Sequence, residues 1–102
     1  MPDVFTALAN PTRREILTHL RGGAQSVTEL AERFEIKRPA VSEHLQVLLA
    51  VGLVRDQRVG QHRYYHLEGQ PLAEAATWLD GFEGYWKDRL RTLREVLDEE
   101  NA

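Results

Sequence analysis

Apolar side chains recur at helical spacing through the first half of the chain. The pattern predicts a short helix over residues 3–9 and a second helix that begins at Asn10-Pro11 and ends at Gly22-Gly23. Asparagine before proline is a typical helix start, because the asparagine side chain caps free backbone N–H groups and proline fits the first helical position. Each helix has one apolar face, so both are expected to pack against further elements.

Two further short helices are separated by a three-residue break. Ser26-Val27-Thr28-Glu29 matches a capping box, in which the serine and glutamate side chains satisfy backbone N–H groups at the helix start. That helix ends near Phe34, and after Glu35-Ile36-Lys37 another runs over Arg38–Ala50. Two short helices joined by so tight a turn form a helix-turn-helix.

The period of the pattern changes after Gly52. Leu53–Arg58 and His62–Leu67 are rich in valine, tyrosine and leucine and are separated by Val59-Gly60-Gln61, which predicts a β-hairpin. A hairpin directly after a helix-turn-helix is a wing, here residues 53–67. The predicted fold class is therefore mainly α with a β-hairpin wing, a winged helix-turn-helix in the order α-α-α-α-β-β-α.

The chain ends in a long amphipathic pattern over residues 71–99, which predicts one continuous helix. At about 1.5 Å per residue this helix is roughly 40 Å long, more than a single small domain needs to close its core. We therefore expect a homodimer in which the first and last helices form the interface. The expected interface residues are Phe5, Leu8, Leu72, Leu79, Phe82, Trp86, Leu90 and Leu93.

Composition narrows the class of protein. A chain of 102 residues is expected to form a single domain, here residues 1–102. It has no cysteine, which excludes disulfides, thiolate nucleophiles and cysteine-based metal sites. The longest apolar run is far shorter than the 18 or so residues of a membrane span, and the start shows no signal-peptide pattern. We expect a cytoplasmic protein without membrane contact or cofactor, and no catalytic motif indicates an enzyme.

Charge is distributed unevenly along the chain. The net charge is −3, yet residues 37–66 carry five basic and two acidic side chains, whereas residues 67–102 carry four basic and nine acidic ones. Phosphate groups respond to the local field more than to the total charge. The basic middle of this acidic chain therefore favours a nucleic-acid partner.

The outward face of the helix over Arg38–Ala50 has the composition of a DNA-reading surface. Its apolar side chains cluster on one side, and the opposite side combines small residues with hydrogen-bonding ones. Small residues allow close approach to the major groove, where Arg38 can donate to guanine and Gln46 can pair with adenine. Ser42 can serve either base, and Glu43 either accepts from cytosine or remains a surface carboxylate.

Side chains around this face are expected to hold the DNA backbone. Four donors lie close to Gly60, and a wing tip of this kind fits a phosphate strand or the minor groove. The arginines near the start of the second helix could instead pair with a carboxylate, and His44 could instead pack against the core. The expected phosphate contacts are Lys37, His44, Arg13 and Ser26, and the expected wing contacts are Arg58, Gln61, His62 and Arg63.

Several stretches of the chain together form a family pattern. They are Leu8–Leu17, Glu29-Leu30-Ala31, Pro39–Leu45, Gly52-Leu53-Val54 and Arg63–Leu67, spread over roughly residues 4–97. In this combination the sequence resembles the ArsR family of bacterial transcriptional repressors. The resemblance implies a winged-helix homodimer that binds a palindromic double-stranded DNA operator and blocks transcription. The absence of the family's metal ligands implies the branch that lacks metal-ligand cysteines.

Three positions depart from this resemblance. The family often has glycine, serine and lysine where this chain has Glu35, Lys37 and Glu43. A glutamate in a left-handed turn costs about 1–2 kcal/mol, and the loss of a serine cap costs about 1 kcal/mol. Because Glu43 changes the chemistry of the reading face, the operator of relatives does not transfer to this chain.

Other interpretations remain open at this point. A winged-helix module without DNA binding could use its acidic last helix to bind a protein partner. A small-molecule effector of unknown identity could occupy the aromatic residues Trp78, Phe82, Tyr85 and Trp86, which otherwise serve as interface packing. His62 and His66 lie about 13 Å apart along their strand, so a metal ion would need ligands from across the dimer.

Overall fold

The structure is a computed structural model and describes residues 3–100. Helices dominate it, and a small antiparallel sheet combines a hairpin between the fourth and fifth helices with a short strand between the second and third. The elements are α1 (Val4–Leu8), α2 (Pro11–Leu20), β1 (Gln25–Ser26), α3 (Val27–Phe34), α4 (Arg38–Ala50), β2 (Val54–Val59), β3 (His62–Leu67), α5 (Gln70–Asp80) and α6 (Glu83–Glu100). This order confirms the predicted winged helix-turn-helix and adds two features that the sequence pattern did not predict.

The helix starts follow from their capping residues. The Asn10 side chain accepts the backbone N–H of Arg13 at 3.1 Å, as expected for the start of α2. At α3, Ser26 and Glu29 form the predicted capping box, with both hydrogen bonds at 3.2 Å. The first helix, α1, is capped by Asp3, whose pKa is lowered because its carboxylate accepts hydrogen bonds from the backbone and hydroxyl of Thr6.

The core lies between α2, the helix-turn-helix and the base of the wing. Its largest members are wholly enclosed aliphatic side chains from α2, α3, α4 and the chain just before β2. They are Ile16, Leu30, Val41, Leu45, Leu48 and Leu53. Val54 and Tyr65 at the base of the hairpin are also buried, so the wing is anchored to the body at the end opposite its tip.

The first unpredicted feature is the short strand β1. The sheet order is β1-β3-β2, and β1 pairs antiparallel with β3 through Gln25↔Tyr65 and Ser26↔Tyr64. Two residues are too few to show an alternating pattern, and the pairing arises only once β3 lies alongside. The hairpin itself begins at Val54 rather than Leu53 and turns through Gly60-Gln61 alone, because Val59 pairs with His62.

The second unpredicted feature is a break in the C-terminal helix. The prediction of one continuous helix over residues 71–99 is wrong, because Gly81 and Phe82 separate α5 from α6. Their N–H groups donate to residues three positions back, Trp78 and Leu79, at 3.2 and 2.9 Å, which tightens the turn. A side chain at position 81 would place its Cβ 3.2 Å from the Trp78 carbonyl oxygen, so glycine permits this turn. The apolar spacing continues through the break, which is why the pattern alone did not reveal it.

The two C-terminal helices leave most of their apolar face uncovered. Within the described residues of α6 no side chain is buried, and in α5 Ala75 is buried. None of the helices between residues 3 and 100 combines the length and the apolar character that crossing a membrane would need. Exposed large apolar side chains on one face mark a candidate surface for contact with another protein chain.

Candidate nucleic-acid interface

The turn between α3 and α4 sets the direction in which α4 leaves the body. Glu35 ends α3 in the left-handed conformation, with φ 55° and ψ 34°, which is the conformation that the family's frequent glycine at this position implied. Ile36 is half-buried and packs against the core. Lys37 occupies the N-cap of α4 without a side-chain cap hydrogen bond, so its ammonium group is free of a structural role there. Lys37 and Arg38 are both exposed at the positive end of the α4 dipole.

Burial of one face of α4 determines what the other face presents. Because Val41, Leu45 and Leu48 are enclosed, Glu43 and Gln46 point away from the core, and the residues beside them are half-buried on the flanks. The predicted base-reading residues are placed accordingly, with Arg38, Glu43 and Gln46 exposed and Ser42 half-buried. The structure therefore brings all four onto the accessible part of α4.

Most of the basic groups at this surface are not neutralised by carboxylates. Among residues 3–100 the ion pairs are Arg55–Glu68, Arg63–Asp56, Lys87–Glu83 and Arg91–Asp88. Lys37, Arg38 and Arg58 take part in none of them, so their charges are available to phosphate groups. Pairs as exposed as the four present contribute about 0–1 kcal/mol each, so even Arg63 could exchange its partner at small cost.

The wing divides its polar side chains between two faces. Gly60 has φ +64° and the following residue does not share this conformation, as in a type II′ turn. The register places Arg58 directly opposite Arg63 on one face, and the Asp56 carboxylate lies 3.4 Å from Nε of Arg63 on the same face. The predicted wing contacts thus separate, since His62 lies on the other face, where its ring is 6.3 Å from that of Tyr64.

The two arginines at the start of α2 hold α1 in place. Nε of Arg13 donates to the Ala7 carbonyl at 2.8 Å and Nη2 donates to the Thr6 carbonyl at 3.1 Å. Nη1 of Arg14 donates to the Leu8 carbonyl at 2.7 Å. Neither arginine meets a carboxylate among the described residues, so the expected alternative of pairing with one is replaced by pairing with backbone carbonyl groups.

Arg13 also contacts α4. Its Nη1 lies 3.5 Å from Nδ1 of His44, which is half-buried on the flank of α4. Ser26 is likewise engaged, because its Oγ accepts the Glu29 N–H, although its hydroxyl hydrogen is left over for a further acceptor. The four predicted phosphate contacts therefore differ in how far they are engaged within the protein. The Lys37 side chain has no partner among residues 3–100, whereas Arg13, His44 and Ser26 each have one or more.

The predicted dimer residues divide into two groups. Phe5, Leu79, Phe82, Trp86, Leu90 and Leu93 are exposed. Leu8 and Leu72 are half-buried and pack against the core of their own chain, so they have less surface left for a partner. Phe5 on α1 packs edge-on against Trp78 on α5 at 5.3 Å between ring centroids, so α1 continues the apolar face of the C-terminal helices.

The aromatic residues considered for an effector form two separate groups. Trp78 and Phe82 are 4.9 Å apart between centroids, and Tyr85 and Trp86 are 5.5 Å apart. No group of three histidine, aspartate or glutamate side chains that could hold a metal ion occurs between residues 3 and 100. An effector at these aromatic residues stays a prediction.

Sequence reasoning missed residues whose role depends on pairing or packing. Asp56 was not predicted to hold Arg63, although the alternation of side chains in a hairpin with a two-residue turn would place both on one face. Thr28 and Glu32 on α3 line the same open groove as Lys37 and Arg38. Thr28 and Glu32 are four residues apart in a helix and therefore share one of its faces, which is the signal that the sequence offered for this groove.

Comparison with known proteins identifies the family. A family profile described as a helix-turn-helix domain matches residues 8–57. The transcriptional repressor SdpR of Bacillus subtilis is 39% identical over 82 residues, which cover 80% of this chain and 91% of SdpR. The HTH-type transcriptional regulator Rv2034 of Mycobacterium tuberculosis is 41% identical over 100 residues, covering 97% of this chain and 91% of that protein. The structure of an ArsR-like transcriptional regulator from Rhodococcus sp. RHA1 matches 94% of this chain and 88% of its own with a TM-score of 0.75 and 36% identity.

The chain belongs to the ArsR family of transcriptional regulators. This confirms the resemblance seen in the sequence, and the absence of cysteine agrees with the branch inferred there. The relatives of this ArsR-family chain are named as regulators and repressors, so an enzyme or a winged-helix module without DNA binding is not favoured. A further structural neighbour, a fragment of Mb0332 from Mycobacterium bovis, is described as a homodimeric winged helix-turn-helix DNA-binding domain. It has a TM-score of 0.65 and 31% identity and covers 79% of this chain and 75% of the fragment.

Proposed function

We propose that this ArsR-family regulator represses transcription by binding a palindromic DNA operator as a homodimer. One observation carries the proposal. The exposed face of α4 presents Arg38, Glu43 and Gln46, and its N-terminal end presents two basic side chains that form no ion pair with any residue from 3 to 100. A helix with free cations at its N-terminal end and donors and acceptors along its open face fits the major groove.

The dimer brings two such helices to one side of the DNA. Most large apolar side chains of α5 and α6, together with Phe5 of α1, are exposed in the single chain, and a second copy of the chain is the occupant that a self-complementary apolar face suits. The homodimeric state of the Mb0332 fragment supports the same arrangement. In a two-fold dimer the recognition helices enter successive major grooves about 34 Å apart, which explains why the operator is palindromic.

Individual side chains then have distinct tasks. Arg38 and Gln46 donate to base edges, Ser42 serves either base, and Glu43 accepts from cytosine amino groups. Lys37 meets a phosphate directly, and the spare hydroxyl hydrogen of Ser26 is a weaker candidate for the same task.

The wing follows the flanking backbone. Arg58 and Gln61 lie at its tip, and Arg63 exchanges Asp56 for a phosphate when DNA is present. His62, on the opposite face, contacts DNA only where the wing lies between the two walls of a groove. A bound dimer excludes RNA polymerase from the promoter. Because this task is carried out on DNA, the proposed site of action is the cytoplasm.

Salt dependence tests the proposal, and the chain offers a matched pair of variants. Its only two lysines are Lys37 and Lys87, both exposed, and Lys87 lies on α6 away from the recognition helix. Binding to duplexes from the region upstream of the gene is measured by fluorescence anisotropy at several salt concentrations. Because the dimer contains two copies of Lys37, we expect the slope of log affinity against log salt to fall by about 1.8 for Lys37→Ala and to stay unchanged for Lys87→Ala. Binding of the wild type no tighter than to random DNA would refute the proposal.

A further inference from the structure

A single guanidinium group connects the first helix to the recognition helix. Arg13 lies in the first turn of α2, between α1 and α4, and is half-buried. Its Nε and Nη2 donate to the last carbonyl groups of α1, and its Nη1 faces Nδ1 of His44 at 3.5 Å. The group therefore contacts a helix of the proposed dimer interface and a helix of the proposed DNA interface at the same time.

The chemistry of this contact fixes the state of the imidazole ring. A guanidinium group is always charged and can only donate hydrogen bonds. A hydrogen bond between the two groups requires Nδ1 of His44 to accept, which is its role in the tautomer that carries the proton on Nε2. Between residues 3 and 100 the Nε2 atom has no hydrogen-bond partner, which leaves an N–H donor on the flank of α4.

We propose that Arg13 is a positioning residue that fixes the orientation and tautomer of His44 so that Nε2–H donates to a DNA phosphate. The phosphate in this inference belongs to the DNA operator, so the inference rests on the proposed function. It replaces the direct phosphate contact that the sequence suggested for Arg13, because each of the three guanidinium nitrogens already has a partner in the protein.

The position of Arg13 also ties this donor to the dimer. The same side chain holds the Thr6 and Ala7 carbonyl groups, and Phe5 beside them packs on Trp78 in the apolar face. A chain of direct contacts therefore runs from the proposed interface to the His44 ring. The phosphate donor of each protomer is thereby kept at a defined distance from the two-fold axis.

Nitrogen-15 NMR of the imidazole rings tests the first half of the proposal without DNA. In the wild type at neutral pH we expect His44 to show the Nε2-protonated neutral tautomer. In Arg13→Gln we expect mixed tautomers or a charged ring. Arg14→Gln is the matched control, because Arg14 also holds an α1 carbonyl but does not touch His44, and its spectrum should equal that of the wild type. An Nδ1-protonated or charged ring in the wild type would overturn the proposal, and this result needs no variant to fold.

DNA binding tests the second half. We expect Arg13→Gln to weaken operator binding about ten- to hundredfold for each of the two protomers, the size of one lost hydrogen bond to a charged phosphate, without change in the salt slope. Against a His44→Phe background the same change should have no further effect, since the donor is already gone. Arg14→Gln should bind as the wild type does.

Three results would overturn this half of the proposal. A salt slope lowered by about 1.8, one contact from each protomer, in Arg13→Gln would show a direct phosphate contact. An equal loss of affinity in Arg14→Gln would show that Arg13 only holds α1 in place. Additive effects of the Arg13 and His44 changes would show that the two residues act independently. If the wild type binds no duplex, the proposed function fails, while the NMR experiment still decides the Arg13–His44 contact.

Discussion

Removing one exposed leucine from α6 should separate the proposed dimer. Leu90 is 65% exposed in the single chain, more than any other large apolar side chain among the described residues. Leu90→Ala removes three carbon atoms, which are worth about 2.4 kcal/mol when they go from water to a fully apolar environment. Only the exposed fraction of the Leu90 side chain leaves water on dimerisation, which reduces this transfer free energy to about 1.6 kcal/mol per protomer.

Two-fold symmetry doubles this effect. Each interface contains two copies of the substitution, so dimerisation weakens by about 3 kcal/mol, or roughly 100-fold in the dissociation constant. Because the α6 face is not part of the monomer core, the fold of the monomer should be retained. Circular dichroism of the variant should therefore match that of the wild type.

Sedimentation velocity over a range of protein concentrations measures the monomer–dimer equilibrium. Val59→Ala is the matched control, because Val59 is 55% exposed but lies at the wing tip, away from the apolar helix face. We expect Val59→Ala to dimerise as the wild type does. An unchanged dissociation constant for Leu90→Ala, or an equal loss for both variants, would refute the assignment of the dimer interface to the C-terminal helices.

Four further predictions concern the reading face and the backbone. Arg38→Ala should weaken operator binding by about 1–3 kcal/mol and relax the base preference at one position per half-site, as measured with single-substituted duplexes. Glu35→Gly should raise the free energy of unfolding in urea by about 1 kcal/mol, since Glu35 has a positive φ; a decrease would contradict this reasoning. Gly60→Ala should lower the same free energy by about 1 kcal/mol through backbone strain alone, because nothing lies within 4 Å of its Cβ position. The stabilising contribution of the Asp3 cap is complete above the ordinary pKa of a carboxyl group and is lost as the pH falls through the lowered pKa of Asp3 in the folded protein. The Thr6 amide resonance, measured by NMR, should therefore shift only at acidic pH.

Local signals in the sequence predicted the elements that local interactions form. The capping box at Ser26 and Glu29 needs only four residues in a row, and the structure contains both of its hydrogen bonds. The left-handed conformation of Glu35, by contrast, was implied by the glycine that the family often has at this position. The buried face of α4 also followed from its spacing, because a helix repeats every 3.6 residues in any environment.

Interactions between distant segments could not be predicted in this way. The strand β1 exists because β3 supplies its partner, and the break at Gly81 depends on backbone hydrogen bonds to which the apolar spacing is insensitive. The partners of Arg13 lie six and seven residues back on α1 and thirty-one residues ahead on α4. In the sequence, a charged side chain such as Arg13 near a helix start suggests phosphate binding. The packed structure is needed to show that carbonyl groups of α1 already accept hydrogen bonds from this side chain.

Unbiased selection of duplexes from a random pool tests the central claim most directly. The account predicts enrichment of a palindrome whose half-sites are centred about 10–11 base pairs apart, bound at least about a thousandfold tighter than a scrambled duplex at physiological salt. Lys37→Ala and Arg38→Ala should reduce that preference. A pool that emerges without a consensus, or a consensus with a single unpaired half-site bound by the monomer, would contradict the assignment of α4 and the wing to a dimeric DNA-reading surface.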